Sequence, residues 1–475
     1  MNKVIKNIPI YSIGNILPQI AGFILLPLYT RYMTPDQYGI VTSMLLLQSI
    51  FVIIFTLCLD RSIYRLYWDY NENQMVEFLS TISIALISFG TLLLGLSFLC
   101  HEYVTRIFIQ IDFHPYFTYT LIGSYVGLFS LIPMGYFMIR QEAGKHVILS
   151  IVRLIATIGF ILYFVVYSNE EAVGYLKGQL FGSLILVPLF LYITFKIMRW
   201  RFVFNQQMLK NGLKYSLPII PGIVGAWVLD LSDRIFIERY FSLTDVGLYS
   251  MGYKLSAVVG IIMGSISMAY TPFFFETANT RSVKDSKNIL GKFNYIYMLL
   301  AIITCFIILL FSYEFVYLLL DKEYQGALIF VPVIVTAYLF QQGGGLIGTY
   351  FKQSKKTKQE AIITLFVAGL NVFLNFLIVP KYGAMGAAYT TLISFATGFG
   401  ISYLYSKKYC YFIPFKWGHL LIIVIIFAGI SYFSLQFSSY IDLYLSLLLK
   451  GTIVLVGGFI LYKVYSNKFR EVIQY

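Results

Sequence analysis

Apolar residues in this chain run nearly unbroken for about 20 positions at a time, and the polar residues gather between the runs. A run of that length spans the hydrocarbon of a bilayer when wound as an α-helix. Lipid offers the backbone no hydrogen-bond partners, so the runs must satisfy their own amide and carbonyl groups. Fourteen runs are read, at about 8–30, 38–60, 77–99, 116–138, 147–167, 173–195, 214–237, 247–270, 291–312, 327–350, 360–379, 385–405, 417–435 and 443–463. The pattern therefore predicts an all-α integral membrane protein of about 14 transmembrane helices. Met1–Lys6 is basic, but the run after it is full length and lacks a small-residue cleavage site, so it is expected to stay as the first span.

The polar punctuation repeats. Residues 31–40 read RYMTPDQYGI and residues 239–248 read RYFSLTDVGL, an offset of 208. Arg31, Tyr32 and Gly39 match Arg239, Tyr240 and Gly247, and in both copies the decapeptide joins one apolar run to the next. The offset recurs as 212 between Arg140-Gln141 and Lys352-Gln353, and as 209 between Gly174/Gly178 and Gly383/Ala387. Six spans per copy is an even number, so the copies are parallel, related by an axis along the membrane normal. The expected organisation is a lobe of six helices over 1–205, a second over 206–408, and two extra C-terminal helices over 409–475. A seam between duplicated bundles is where transporters hold cargo.

Composition agrees with the pattern: 59% of the 475 residues are apolar and only 12% are charged, about half the charge of a soluble domain. The net charge of +13 lies mainly in clusters after even-numbered spans: Lys196/Arg199/Arg201/Lys210/Lys214, Arg281/Lys284/Lys287/Lys292, Lys352/Lys355/Lys356/Lys358, Lys407/Lys408/Lys416 and Lys463/Lys467/Arg470. That asymmetry places both termini in the cytoplasm and lets the basic loops touch anionic lipid, so nucleic acid is not needed to explain the charge. The four cysteines and four histidines show no metal or redox spacing and are read as structural. The outward loops are short, and no paired carboxylates, phosphate-cradling glycine loop or nucleophile triad occurs. An enzyme is not expected.

Residues 371–394 read NVFLNFLIVPKYGAMGAAYTTLIS. With PLYTRYMTPDQYG at 27–39, LDRSIYRLYWDY at 59–70 and LDLSDRIFIERYFSLTDVGLYSMGYKLS at 229–256, the chain resembles the polysaccharide-transporter family of the MOP exporter superfamily, the Wzx-type flippases. The matching positions in the first motif are Asn371, Asn375, Pro380, Tyr382, Gly383, Gly386, Ala387, Ala388 and Thr391. The resemblance covers the first twelve spans. It implies a V-shaped pair of six-helix lobes, alternating access, and a polyprenyl-diphosphate-linked oligosaccharide as cargo. It places the protein in a bacterial inner membrane beside other polysaccharide-assembly proteins. In the motif, Pro380 is expected to stop its helix and Tyr382-Gly383 to turn the chain, while Asn371 and Asn375 bond across helices.

Ionisable groups inside a span cost several kcal/mol and face a wet cavity or a partner. Arg61, Arg65 and Arg153 toward the cytoplasm, and Arg31, Arg234 and Lys254 toward the outside, are the candidate cations for a diphosphate headgroup. Arg31 and Arg239 also suit helix C-termini, and Arg61 and Arg65 can snorkel to the surface. Trp227, Asp230 and Arg234 share one helix face. Trp227 is a candidate for stacking on a sugar ring or for plain packing; Asp230 and Asp233 are candidates for Na+ or H+ coupling or for pairing with Arg234. Glycines 343, 344, 345 and 348 read as a bending point or as close helix packing. The rival readings are a MATE-like cation-coupled multidrug antiporter and, in another class, a membrane glycosyltransferase or polysaccharide polymerase. Acidic residues would suit organic cations, whereas this membrane interior is richer in Arg and Lys; a polymerase needs an outward catalytic loop bearing acidic or basic pairs, and the outward loops here are mostly under about 10 residues, apart from those near 101–115 and 313–326.

Overall fold

Each apolar run forms a helix in the computed structural model, which describes residues 17–414, 417–438 and 440–473. The basic Met1–Lys6 and the start of the first span lie outside the described residues. Among the described residues, eleven helices are long and apolar enough to cross a membrane, from Pro35–Thr56 to Gly418–Ser438. One of them, Thr357–Tyr409, holds spans eleven and twelve, and the shorter apolar stretch Leu443–Phe459 is the fourteenth. The contacts divide the chain into two compact units, Met1–Gly247 and Leu248–Tyr475.

In the first unit, Pro35–Thr56 packs against Thr118–Gly127 and Glu171–Leu184, while Gln206–Ser216 packs against Leu59–Leu66 and Glu72–Leu99. Its core is apolar: Met44, Leu47, Phe55, Phe108, Phe117 and Leu121 are buried in one cluster. Span two is not one helix to residue 60. Leu57 and Cys58 both take left-handed backbone angles, so the helix stops at Thr56 and a short helix, Leu59–Leu66, begins. Arg61 and Arg65 sit on that second piece.

In the second unit, the 53-residue helix is a hairpin. Its one non-helical residue is Gly383, at φ 59° and ψ −147°, a region open almost only to glycine. The helix runs through Pro380 and breaks three residues later. The expected stop at Pro380 is thus corrected: a proline removes one donor and strains one turn, whereas the reversal needs the backbone freedom of Gly383. Across the hairpin Thr390 Oγ1 donates to Asn375 Oδ1, and along the first arm Asn375 Nδ2 donates to Asn371 Oδ1, one turn back, at 3.2 Å. Both asparagines are fully buried, as their shared face predicts. Helix Val331–Gln353 lies against the hairpin without a bend; a side chain at Gly343 would meet the Phe399 ring and one at Gly348 the Glu360 carboxylate. Helices Trp417–Ser438 and Leu443–Ile473, which have no counterpart in the first copy, pack on Val283–Leu319. There Lys450 Nζ lies 2.6 Å from Glu314 Oε1, with side chains 5% and 2% exposed. Ser446 Oγ donates to the same carboxylate, and Lys450 Nζ donates to Ser438 Oγ at 2.8 Å.

Candidate substrate cavity

Polar side chains set within apolar runs converge in the first unit. Gln48 and Ser49 from Pro35–Thr56, Ser124 and Ser130 from the fourth span, His146, Ser150 and Arg153 from Ala143–Leu162, and Gln179 from Glu171–Leu184 line a cavity of about 640 Å³. No carboxylate is among the lining residues. Arg153 Nη1 donates to Ser130 Oγ at 3.3 Å, and among the described residues Arg153 has no ion-pair partner. Such a cation in a bundle's interior is expensive unless a polar cavity or an anion receives it.

The helix carrying Arg153 is positioned by a glycine ridge. A side chain at Gly178 would meet the Ile161 backbone, one at Gly182 the Thr157 backbone, and one at Gly174 the Phe164 carbonyl. Small residues four apart let two membrane helices approach to backbone contact. Thr157, one turn beyond Arg153, lines the cavity as well, so this close packing fixes which face of the helix turns inward.

The other candidates are distributed as follows. Arg61 and Arg65 are surface groups, 58% and 55% exposed, each beside a local acid: Asp60 at 3.4 Å and Asp69 at 2.7 Å. Arg31 is exposed in the last turn of Leu26–Tyr32, where its charge complements the helix dipole. Trp227 donates its indole N–H to Ser49 Oγ at 2.8 Å and packs on the first unit's core, so it adjoins a cavity-lining residue. Asp233 and Arg234 are buried, and Arg234 Nη1 turns back to the carbonyl of Asp230 at 2.8 Å. Lys254 is half-buried in helix Leu243–Ser256, on the part of it that belongs to the second unit. There, a separate polar network runs through tyrosines: Asn294 Nδ2 donates to Tyr350 Oη at 2.6 Å, and Tyr297 Oη meets Ser267 Oγ at 2.9 Å and donates to Gln342 Oε1 at 3.3 Å.

Gln48, Gln179, Ser130 and His146 carry no charge in the sequence reading and were not singled out by it. Their signal is there, since a glutamine in the middle of an apolar run is also costly to bury, though less so than a charge. Which tyrosines turn inward has no such signal.

Comparison with known proteins bears on the family and the fold. Residues 4–278 match the family model for polysaccharide biosynthesis proteins, and residues 218–377 match the MatE model. The capsular polysaccharide biosynthesis protein CapF of Staphylococcus aureus is 22% identical over 411 residues, 85% of this chain and 99% of that protein. The fold resembles that of the lipid II flippase MurJ in an inward closed conformation, with a TM-score of 0.76 at 16% identity, covering 95% of this chain and 98% of the other. It also resembles an inward-facing MATE multidrug resistance transporter of the MOP superfamily, with a TM-score of 0.62 at 12% identity over 84% and 94% of the two chains. The apolar runs, the duplicated decapeptide and the family match meet in one conclusion: this multi-pass membrane protein belongs to the polysaccharide biosynthesis protein family.

Proposed function

We propose that the chain flips a polyprenyl-diphosphate-linked oligosaccharide from the cytoplasmic to the outer leaflet of a bacterial cytoplasmic membrane by alternating access. In this reading two six-helix lobes, 1–205 and 206–408, rock about the seam between the repeats, the helices after residue 408 are an appendix, and both termini are cytoplasmic. The observation that carries it is Arg153: a cation without a carboxylate, in a polar cavity inside an apolar bundle. A diphosphate brings about two negative charges that cannot enter hydrocarbon unpaired. Arginine suits it because the guanidinium binds phosphate oxygens through two parallel N–H bonds and stays charged when desolvated. Gln48, Gln179 and the serines supply donors and acceptors for sugar hydroxyls. Arg61 and Arg65 attract the headgroup at the cytoplasmic mouth, and Arg234 and Lys254 receive it further out. Asp230 and Asp233 hold Arg234 between cargoes.

The MATE-like alternative asks for carboxylates facing an organic cation, and among the described residues none lines the cavity around Arg153. The test is complementation of a flippase-deficient strain. Arg153→Ala is expected to reduce flipping at least tenfold at normal expression, and Arg153→Lys to keep part of it, through charge without the planar fork. Wild-type complementation by a well-expressed Arg153→Ala protein overturns the reading.

A further inference from the structure

A second cleft of the first unit shares no lining residue with the cavity around Arg153. It begins at the break in span two, where the helix stops at Thr56 and restarts at Leu59. Helix Gln206–Ser216 packs closely on the restarted piece. A Cβ on Gly212 would stand 3.3 Å from Leu59 Cδ2 and Ile82 Cδ1, and 3.4 Å from Ser62 Oγ. Between the break, this helix and span three lies a cleft of about 650 Å³. Its walls are Phe55, Leu57 and Leu59 at the break, Leu209 and Leu213 on the helix, and the face of Glu72–Leu99 from Ile84 to Leu92. The distance from Ile84 to Leu92 is about 12 Å of helix, so the cleft runs well along span three. Ser88 is the one polar side chain among its described lining residues.

The segment 201–205 supplies one edge of the cleft. Arg199 and Trp200 both take positive φ angles, 52° and 56°, and the chain after them runs without helix across the start of span three. Val203 N–H donates to Ser80 Oγ at 2.9 Å, Asn205 N–H to Thr81 Oγ1 at 3.0 Å, and Asn205 Nδ2 to Glu77 Oε1 at 2.8 Å. These bonds fix Phe204 at the cleft it helps to line. Trp200, Phe202 and Phe204 are all exposed, as aromatic rings at the level of lipid headgroups are. The charge at this edge is one-sided. Its acids are engaged: Asp60 with Arg61 at 3.4 Å, Asp69 with Arg65 at 2.7 Å, Glu72 with Arg199 at 3.0 Å, and Glu77 with Asn205. Lys210 and Lys214 directly follow the lining residues Leu209 and Leu213, and Arg201 precedes Phe204 on the strap; all three cations are exposed. Among the described residues no ion pair takes them up.

We propose that this cleft binds one anionic phospholipid, with an acyl chain against the break in span two and its phosphate held by Arg201, Lys210 and Lys214. Charge complementarity carries the assignment. An apolar slot alone takes any lipid, whereas surplus cations at its edge select a negative headgroup. Lysine suits a phosphate that stays hydrated, because its ammonium is a compact charge on a flexible stem. The cations are exposed, on the side that the basic clusters assign to the cytoplasm, where a resident phospholipid keeps its phosphate. A lipid-linked cargo has instead to carry its diphosphate away from that edge. The site is independent of the flippase reading, since it uses none of the residues around Arg153.

Photo-crosslinking tests it. The full chain is reconstituted in phosphatidylcholine vesicles containing a trace of phosphatidylglycerol that bears a diazirine on one acyl chain. A parallel sample carries the same diazirine on phosphatidylcholine, and crosslinked peptides are identified by mass spectrometry. Each cation beside an anionic lipid contributes about a fivefold preference. The phosphatidylglycerol probe is therefore expected to mark residues 84–92 and 209–213 at least about fivefold more strongly than the phosphatidylcholine probe. Arg201→Gln, Lys210→Gln and Lys214→Gln together should bring the two probes level. Ser88→Phe, which fills the slot and leaves the cations, should remove both probes from these peptides. Equal marking by the two probes in the wild type means ordinary boundary lipid and overturns the site. Selectivity that survives the three glutamines overturns it too, as does marking that survives Ser88→Phe. If unlabelled polyprenyl diphosphate displaces the phosphatidylglycerol probe and unlabelled phosphatidylglycerol does not, the cleft belongs to the cargo's tail, and the phospholipid assignment falls.

Discussion

At the scale of single residues, partners separate cations that look alike in sequence. Arg61, Arg65 and Arg153 are all arginines near the ends of apolar runs that the charge pattern assigns to the cytoplasmic side. The first two are solvated beside Asp60 and Asp69, where exposed pairs contribute about 0–1 kcal/mol; the third faces a polar cavity without a carboxylate. Trp227 is distinguished in the same way, by the bond from its indole to Ser49. Trp227→Phe keeps most of the ring's packing and loses that one donor, so a loss of about 1 kcal/mol is expected. Trp227→Ala removes the ring as well and should cost about 3–5 kcal/mol. Thermal unfolding in detergent should rank the two variants in that order. If Trp227→Phe is as damaging as Trp227→Ala, the hydrogen bond outweighs the packing.

At the scale of elements, close approach decides what each helix can do. The ridge Gly174, Gly178, Gly182 lets two spans touch backbone to backbone and so aims Arg153. The Gly383 reversal folds spans eleven and twelve together, and Asn375 then bonds to Thr390 on the returning arm. Helix Leu443–Ile473 is fixed differently, by the buried Glu314–Lys450 pair. Breaking such a pair from one side leaves an uncompensated charge and costs about 3–5 kcal/mol, whereas replacing both partners by apolar groups is often neutral. Lys450→Met is therefore expected to lower the unfolding temperature sharply, and Glu314→Leu combined with Lys450→Met to restore most of it. Additive losses in the double variant would count against the pair.

At the scale of the whole molecule, the prediction concerns sidedness. The lysine and arginine clusters after even-numbered spans put residues 196–213 and 273–290 in the cytoplasm. Gln206 and Lys284 are exposed in those loops, whereas Ser286 nearby is buried against Tyr411 and makes a poor reporter. Cys100, at the opposite end of the third span, is exposed and native. In intact cells an impermeant thiol reagent is expected to label Cys100, and to leave cysteines at Gln206→Cys and Lys284→Cys unlabelled until the membrane is permeabilised. Strong labelling of either engineered site from outside would reverse the orientation.

The sequence by itself determined the helices, the duplication and the family. Apolar run length is a local property set by bilayer thickness, and a repeated decapeptide is visible by comparing the chain with itself. It also singled out Arg153, because a charge in an apolar run is conspicuous without any structure. The tertiary structure decided what those residues face. The break at Leu57–Cys58 puts Arg61 and Arg65 on a separate surface helix. The inward turn of Gln48 and Gln179 depends on how four helices pack. The approach of Gly39 to the Leu243 carbonyl, and of Gly247 to that of Pro35, depends on packing between residues about 200 positions apart. Hydropathy records how much of a helix avoids water. It does not record which neighbour covers each face, because that follows from contacts between residues distant in the chain.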